Sequence, residues 1–366
     1  MSPRPLRHLL LATALLAPLG AAAQDAAVGQ LSLHGYLTQA WAVSKGARHY
    51  GMTDEPTTDY RYAALQLRYD REQHGILLQF NHRRLGDSPI NDYTSDVTLN
   101  WAFYERRFAE TGSLRLGRIP VPRGIYNEQR SIGVLHPLYR APVLFYDEGA
   151  YYSETVDGVV GRYGFFAERP WQLEVSLYAG GWSQLIYDQT VEPYALTNTR
   201  FERAFGTQLW LQTPIDGLRL GASAQQYTED GDADVPDNTT REFQASVDFT
   251  RSRGFVRSEY QELHYPWDRY HSGYLQAGLR PTGGRLMLVG EYGRAVDRDQ
   301  TYTDRWPADI EWHRSVGAGV NWTFTPTLVG KLEHHWDRGV QVEEHVPDAT
   351  RAPRFRYIIA SVSASF

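Results

Sequence analysis

The sequence predicts an all-β fold, a transmembrane antiparallel β-barrel of about sixteen strands with its third long loop folded into the lumen. Three observations predict it. Apolar and polar residues alternate along most of the chain. Mean hydropathy is low, yet 13% of residues are aromatic, including 24 tyrosines and 10 tryptophans. The connections between alternating segments switch between short and long.

Alternation marks a strand with two unlike faces. Ile76, Leu78 and Phe80 oppose Gln79, Asn81 and Arg83. Val97, Leu99, Trp101 and Phe103 oppose Asp96, Thr98, Asn100, Tyr104 and Arg106. Leu173, Val175 and Leu177 oppose Glu174, Ser176 and Tyr178, and Phe243, Ala245, Val247 and Phe249 oppose Gln244, Ser246 and Asp248. Val316, Ala318, Val320 and Trp322 oppose Gly317, Gly319, Asn321 and Thr323. The predicted strands lie near 31–43, 58–70, 73–83, 95–108, 112–118, 151–167, 171–182, 204–213, 217–227, 240–252, 254–265, 271–281, 284–296, 311–324, 326–337 and 354–366.

A membrane barrel reconciles low hydropathy with many aromatics. One face of each strand meets lipid, the other meets water, and Tyr and Trp gather at the membrane interfaces. Trp101, Trp182, Trp210, Trp267, Trp306, Trp312 and Trp336 are expected in such girdles or in loop packing. The loop alternation separates this fold from a soluble β-sandwich. Connections at 71–72, 109–111, 168–170, 214–216, 252–253, 282–283 and 325 are short. Those at 44–57, 84–94, 119–150, 183–203, 228–239, 297–310 and 338–353 are long, and 266–270 is the brief exception.

Residues 1–23 read as a cleaved signal peptide: Arg4 and Arg7, an apolar run from Leu9 to Leu19, then Ala21-Ala22-Ala23. Residues 24–366 are then one barrel domain. Lys and Arg total 37 against 43 Asp and Glu, a net charge of −6, which gives no reason to expect nucleic acid as a partner. Cysteine is absent, so stability rests on the backbone ladder and on apolar burial.

The final strand ends on Phe366, on the same parity as Ile358, Ala360, Val362 and Ala364. A terminal aromatic after alternating apolar residues resembles the signal read by the barrel-assembly machinery. Phe366 is therefore the expected assembly signal, facing lipid.

Residues 119–150 are the expected functional segment. Pro120, Pro122, Pro137 and Pro142 restrict the backbone, and Tyr126, Tyr139, Phe145 and Tyr146 oppose disorder. A long ordered loop is usually functional. Packed inside the barrel, it would narrow the pore. Arg118, Arg123, Tyr126, Asn127, Glu128, Arg130, His136 and Arg140 form the candidate constriction, with Asp147 and Glu148 nearby. Charged side chains at the narrowest point set which ions and solutes pass.

Gly117-Arg118, then Pro122, Gly124, Ile125, Tyr126, Asn127, Glu128 and Arg130, resemble the G-R…P…G-x-Y-N-E-x-R stretch of the porin-like outer-membrane β-barrels of Gram-negative bacteria. That group tends to follow with aspartate and then Arg-Pro; here Ser131 and His136-Pro137 stand. The resemblance implies a location in the cell outer membrane and passive diffusion of small hydrophilic solutes or ions. It also implies a homotrimer, and contacts with outer-membrane lipid and lipopolysaccharide. A substrate-specific channel for a sugar, carboxylate or phosphate is the alternative.

On the wall, the polar parity includes Arg68, Arg106, Arg115, Arg219, Arg257, Arg280 and Lys331. It also includes Asp96, Glu174, Glu242, Asp248, Glu259, Glu291 and Glu333. The balance is too even to predict an ion preference. No cofactor is implied. The acidic turn at Asp230–Asp237 lacks the closing glutamate of a calcium loop, and adjacent His334 and His335 face opposite sides of a strand. No G-x-S-x-G elbow appears, so a barrel enzyme is disfavoured, and a closed structural barrel or adhesin is a third class.

Overall fold

A computed structural model describes residues 29–93, 96–147, 154–230, 238–282 and 284–366. The signal-peptide expectation, Glu148, most of the acidic turn and Gly283 lie outside the described residues. The strands are β1 (Gln30–Lys45), β2 (Thr57–Arg71), β3 (His74–Leu85), β4 (Thr98–Phe108), β5 (Gly112–Pro120), β6 (Thr155–Phe165), β7 (Gln172–Asp188) and β8 (Ala195–Gln212). They continue as β9 (Leu218–Glu229), β10 (Thr239–Arg251), β11 (Gly254–His264), β12 (Arg269–Leu279), β13 (Leu286–Arg298), β14 (Ile310–Thr325), β15 (Leu328–Gly339) and β16 (Arg354–Ser365). Each pairs antiparallel with its sequence neighbours, and β16 closes on β1. Closure leaves no unpaired edge, which a lipid environment would penalise at every free N–H and C=O.

The closing seam is made by the C-terminus. Gly35 and Phe366 exchange backbone hydrogen bonds of 3.1 and 3.0 Å. Gly35 has no side chain because the Phe366 ring fills the space a Cβ would need. Phe366 is 58% exposed on the outward face, as its parity predicts.

The outward face is apolar. Leu65, Leu177, Val247, Leu275, Val320 and Leu332 are among its exposed side chains. The girdle aromatics are chiefly Tyr and Phe, with Trp41, Trp322 and Trp336. Of the seven tryptophans expected in girdles or loop packing, Trp336 faces outward, whereas Trp101 and Trp182 are buried in the lumen.

Two expectations about strands need correction. The pairing of β3 with β4 slips between Gln79 and Phe80, with Asn100 as the extra residue. A bulge reverses which face the following residues present. Leu99 therefore points outward while Trp101, Phe103 and Glu105 are buried inside. Arg106, expected on the pore wall, instead shares the outward face with exposed Tyr104 and bonds His74 at 2.6 Å. Asp96, also expected on the wall, precedes β4 in an outer connection and is exposed.

The second correction is the region 183–203, expected as a loop. It is mostly strand: β7 and β8 form a long hairpin with only 189–194 between them. β7 and β8 slip between Gly180 and Trp182, β8 and β9 slip between Glu202 and Phe205, and these bulges break the alternation the sequence reading relied on. Arg280, expected on the wall, stands in the turn just past β12, its N–H donating to Arg253 O at 2.7 Å.

Candidate pore constriction

The segment between β5 and β6 turns into the barrel at a tied neck. Val121 N donates to Glu154 O at 3.2 Å. Asn127 Nδ2 then donates to both Val121 O and Glu154 O, at 2.8 and 3.0 Å. One amide thus holds the two legs of the loop together. Short helical turns follow at Asn127–Gln129 and Gly133–Leu135, then a one-turn helix at Val143–Tyr146.

The loop is seated against the far wall, from β8 round to β16. Arg123 Nε stands 3.2 Å from Glu242 Oε1, and its Nη2 donates to Gln261 Oε1 at 2.5 Å and Phe145 O at 2.9 Å. The guanidinium also lies over the Phe145 ring, 5.1 Å from its centroid. Glu259 gathers four donors: Ile125 N at 3.0 Å, Ser246 Oγ at 2.6 Å, Tyr274 OH at 2.7 Å and Tyr146 OH. A buried carboxylate is tolerated only when paired or bonded in this way. Tyr126 OH donates to Gln276 Oε1 at 2.6 Å and accepts from Arg257 Nη1 at 2.8 Å. Lys331 Nζ donates to Gly133 O and Leu138 O, while Glu333 accepts from Tyr139 N. Asn321 Nδ2 donates to Pro137 O at 2.6 Å.

On the opposite side, between the loop and the inner face of β1–β3, lies a polar pocket. Thr38, Tyr62 and Arg83 line it from the wall. Arg130, His136, Tyr139, Arg140 and Asp147 line it from the loop, with Glu154 at the neck. Arg83 Nη1 and Glu154 Oε1 are 3.3 Å apart, and Arg140 bonds Tyr60 OH. Burial, with the Lys331 ammonium nearby, lowers the His136 pKa to about 3. His136 therefore brings no charge to the pocket at neutral pH. Arg130 and Arg83 together hold the Glu154 carboxyl below its ordinary value despite burial.

Toward the short-turn end, the same side of the lumen carries a chain of ion pairs. Arg68 pairs with Asp70 at 2.6 Å and Glu105 at 2.9 Å. Arg115 meets Glu105 at 2.8 Å and Glu128 at 3.8 Å. Arg162 pairs with Glu128 and lies 3.5 Å from Glu174. Glu128 is the loop residue that reaches this vestibule.

The candidate residues thus separate into groups. Arg130, His136 and Arg140 line the same pocket. Arg123, Tyr126 and Asn127 are buried clamps, not lining. Of the wall set, Arg68, Arg115 and Glu174 border the open vestibule, and Arg219 and Asp248 pair at 2.6 Å inside the barrel. Arg257, Glu259, Lys331 and Glu333 hold the loop, and Glu291 accepts from Gln276, which also bonds Tyr126. Arg118 is misplaced by the sequence reading. It is paired in register with Asp157 on the outward face, with bonds of 2.7 and 2.8 Å. Sequence reasoning missed Arg83 and Glu154 as lining. The parity of Arg83 with Gln79 and Asn81 carried that signal.

The sequence matches no protein-family model and no curated protein. Solved structures do match. Salmonella typhi OmpF in complex with daunomycin aligns at a TM-score of 0.64 and 10% identity, covering 92% of this chain and 98% of that one. The outer membrane channel DcaP of Acinetobacter baumannii aligns at 0.59 and 11%, covering 94% and 100%. OmpT, an outer membrane protein of Vibrio cholerae, aligns at 0.60 and 11%, covering 95% and 100%. The fold is that of an outer-membrane porin. At these identities the porin fold is what is shared. Among the described residues, no group of three or more His, Asp or Glu could hold a metal ion.

Proposed function

We propose that the chain forms a water-filled channel in the outer membrane for diffusion of small hydrophilic solutes or ions. The observation that carries this reading is the loop clamped to one wall, with a polar pocket of arginines and carboxylates dividing it from β1–β3; we read that pocket as the solute passage. A closed structural barrel has no use for such a division. A hydrolase needs a positioned nucleophile, base and acid, and the passage presents arginines, tyrosines and carboxylates.

Three arginines (Arg83, Arg130, Arg140) face two carboxylates (Asp147, Glu154) there. That excess favours anions, so carboxylates and phosphates are the solutes the passage suits best. Transit of the outer membrane, homotrimer formation and recognition of Phe366 by the assembly machinery belong to the same reading. The test is planar-bilayer recording of purified protein. Stepwise conductance that falls as sized sugars enter the lumen is expected. Silent membranes, with lipase or protease activity in the same preparation, would reject it.

A further inference from the structure

Four arginines form an unbroken row on the outside of the barrel. Arg294 pairs directly with Arg314, Arg314 with Arg338, and Arg338 with Arg354, across β13, β14, β15 and β16. Strands lie about 4.8 Å apart, so the row spans about 14 Å. The side chains share the parity of exposed Tyr292, Val316 and Trp336, one pleat nearer the long-loop end. Arg356 sits beside that aromatic row, paired with Trp336 on one side and Lys45 on the other.

Like charges directly opposite each other on a sheet are destabilising. The chain itself supplies little to offset them. Glu311 lies 3.1 Å from Arg294 and 3.6 Å from Arg314. Arg338 Nη2 donates to Thr350 O at 3.4 Å. Among the described residues, no carboxylate pairs with Arg338, Arg354 or Arg356. A row of cations with one acid partner is poorly explained as an internal network.

Its position suggests what offsets it. Toward the short-turn end the same faces carry Leu288, Val320, Leu332 and Val362, all exposed and apolar. The arginines begin where that surface ends, which is the level of lipid head groups. Guanidinium forms paired hydrogen bonds with phosphate oxygens, and side-by-side guanidiniums suit a head group bearing several phosphates. Both chain ends and the short turns lie at the opposite rim, so the row belongs to the outer leaflet.

We infer that the outward face of β13–β16 is a docking surface for lipopolysaccharide, held through its phosphates by Arg294, Arg314, Arg338 and Arg354. This inference rests on the outer-membrane reading above but not on channel activity. It concerns the outside of the barrel, which the pore does not use.

The test is native mass spectrometry of purified protein in neutral detergent, titrated separately with lipopolysaccharide, dephosphorylated lipopolysaccharide and phosphatidylglycerol. Wild type is expected to retain lipopolysaccharide and to lose about tenfold in affinity for the dephosphorylated form. The R294Q/R314Q/R338Q/R354Q variant should bind lipopolysaccharide about tenfold more weakly than wild type. R241Q, which removes an outward arginine on β10 away from the row, should bind as wild type. Equal binding by the quadruple variant, indifference to phosphate removal, or equal affinity for phosphatidylglycerol would each overturn the proposal. Heat-modifiable migration of the variants checks folding. Silent bilayers with intact lipopolysaccharide binding would refute the channel and leave this surface standing.

Discussion

Arg123 and Glu242 stand 3.2 Å apart inside the barrel, only 4% and 1% exposed, and join the inward loop to β10. The loop's place in the lumen depends on such contacts, because its own helical turns are too short to be stable alone. Removing one member of a buried pair leaves the other charge uncompensated, at a cost of about 3 kcal/mol. Arg123→Ala should therefore lower the urea midpoint and raise channel noise as the loop leaves its seat. Unchanged melting and quiet current would show that the pair does not hold the loop.

A different pair lies on the outside. Arg118 and Asp157 are bonded twice on the outward face, beside exposed Leu116. Asp157→Ala should leave an unpaired arginine facing lipid and cost about 2 kcal/mol. Replacing both with leucine should be neutral or stabilising, because no charge remains to be desolvated. Unfolding of the single and double variants in vesicles measures the cycle. Neither variant should change ion selectivity, since neither side chain faces the lumen.

The mouth has its own lock. Glu343, in the connection between β15 and β16, accepts from Gly51 N at 2.5 Å, Tyr187 OH at 2.9 Å and Ser88 Oγ, with Arg48 at 3.6 Å. Burial outweighs these partners and raises its pKa above the ordinary value; Glu344 beside it is raised too. A raised folded-state pKa stabilises the closed arrangement most at acid pH, below the unfolded value of 4.5. That contribution is lost as pH rises through the folded value. Hydrogen exchange across residues 340–353 should therefore quicken with pH beyond its intrinsic base catalysis. Glu343→Gln should flatten most of that excess. An identical excess in both proteins would remove Glu343 as its source.

Phe366 and Gly35 join the last strand to the first through two backbone bonds and a ring packed over a glycine. Phe366→Ala should keep the bonds and lose the packing. The expected outcome is a lower yield of heat-modifiable barrel in cells, with unaltered conductance of whatever folds. Gly35→Ala should do at least as much damage, since the ring must move. Full yields from both would show that the seam does not limit assembly.

Much of the fold was legible because a strand's period of two records which face is wet. Strands β10 and β11 keep that period without interruption, and their faces are as the sequence reads. The errors arise where the period breaks. The bulge at Asn100 turned Trp101 inward and Arg106 outward, and two irregular registers hid the β7–β8 hairpin. The inward loop was legible from its prolines and aromatics. Its orientation was not, because burial of Arg123 depends on Glu242 and Gln261, far away in sequence. Arg118 misled for a local reason: its motif sits at a strand's end, where one residue decides between lumen and lipid.

The central claim is that solutes pass between the loop and β1–β3, beside Arg83. Reversal potential in a potassium chloride gradient tests it most directly, comparing wild type with Arg83→Glu. The charge change at the lining should shift wild-type anion preference toward cations, while Arg118→Ala leaves it alone. A reversal potential unmoved by Arg83→Glu, in a channel that still conducts, would place the pathway elsewhere.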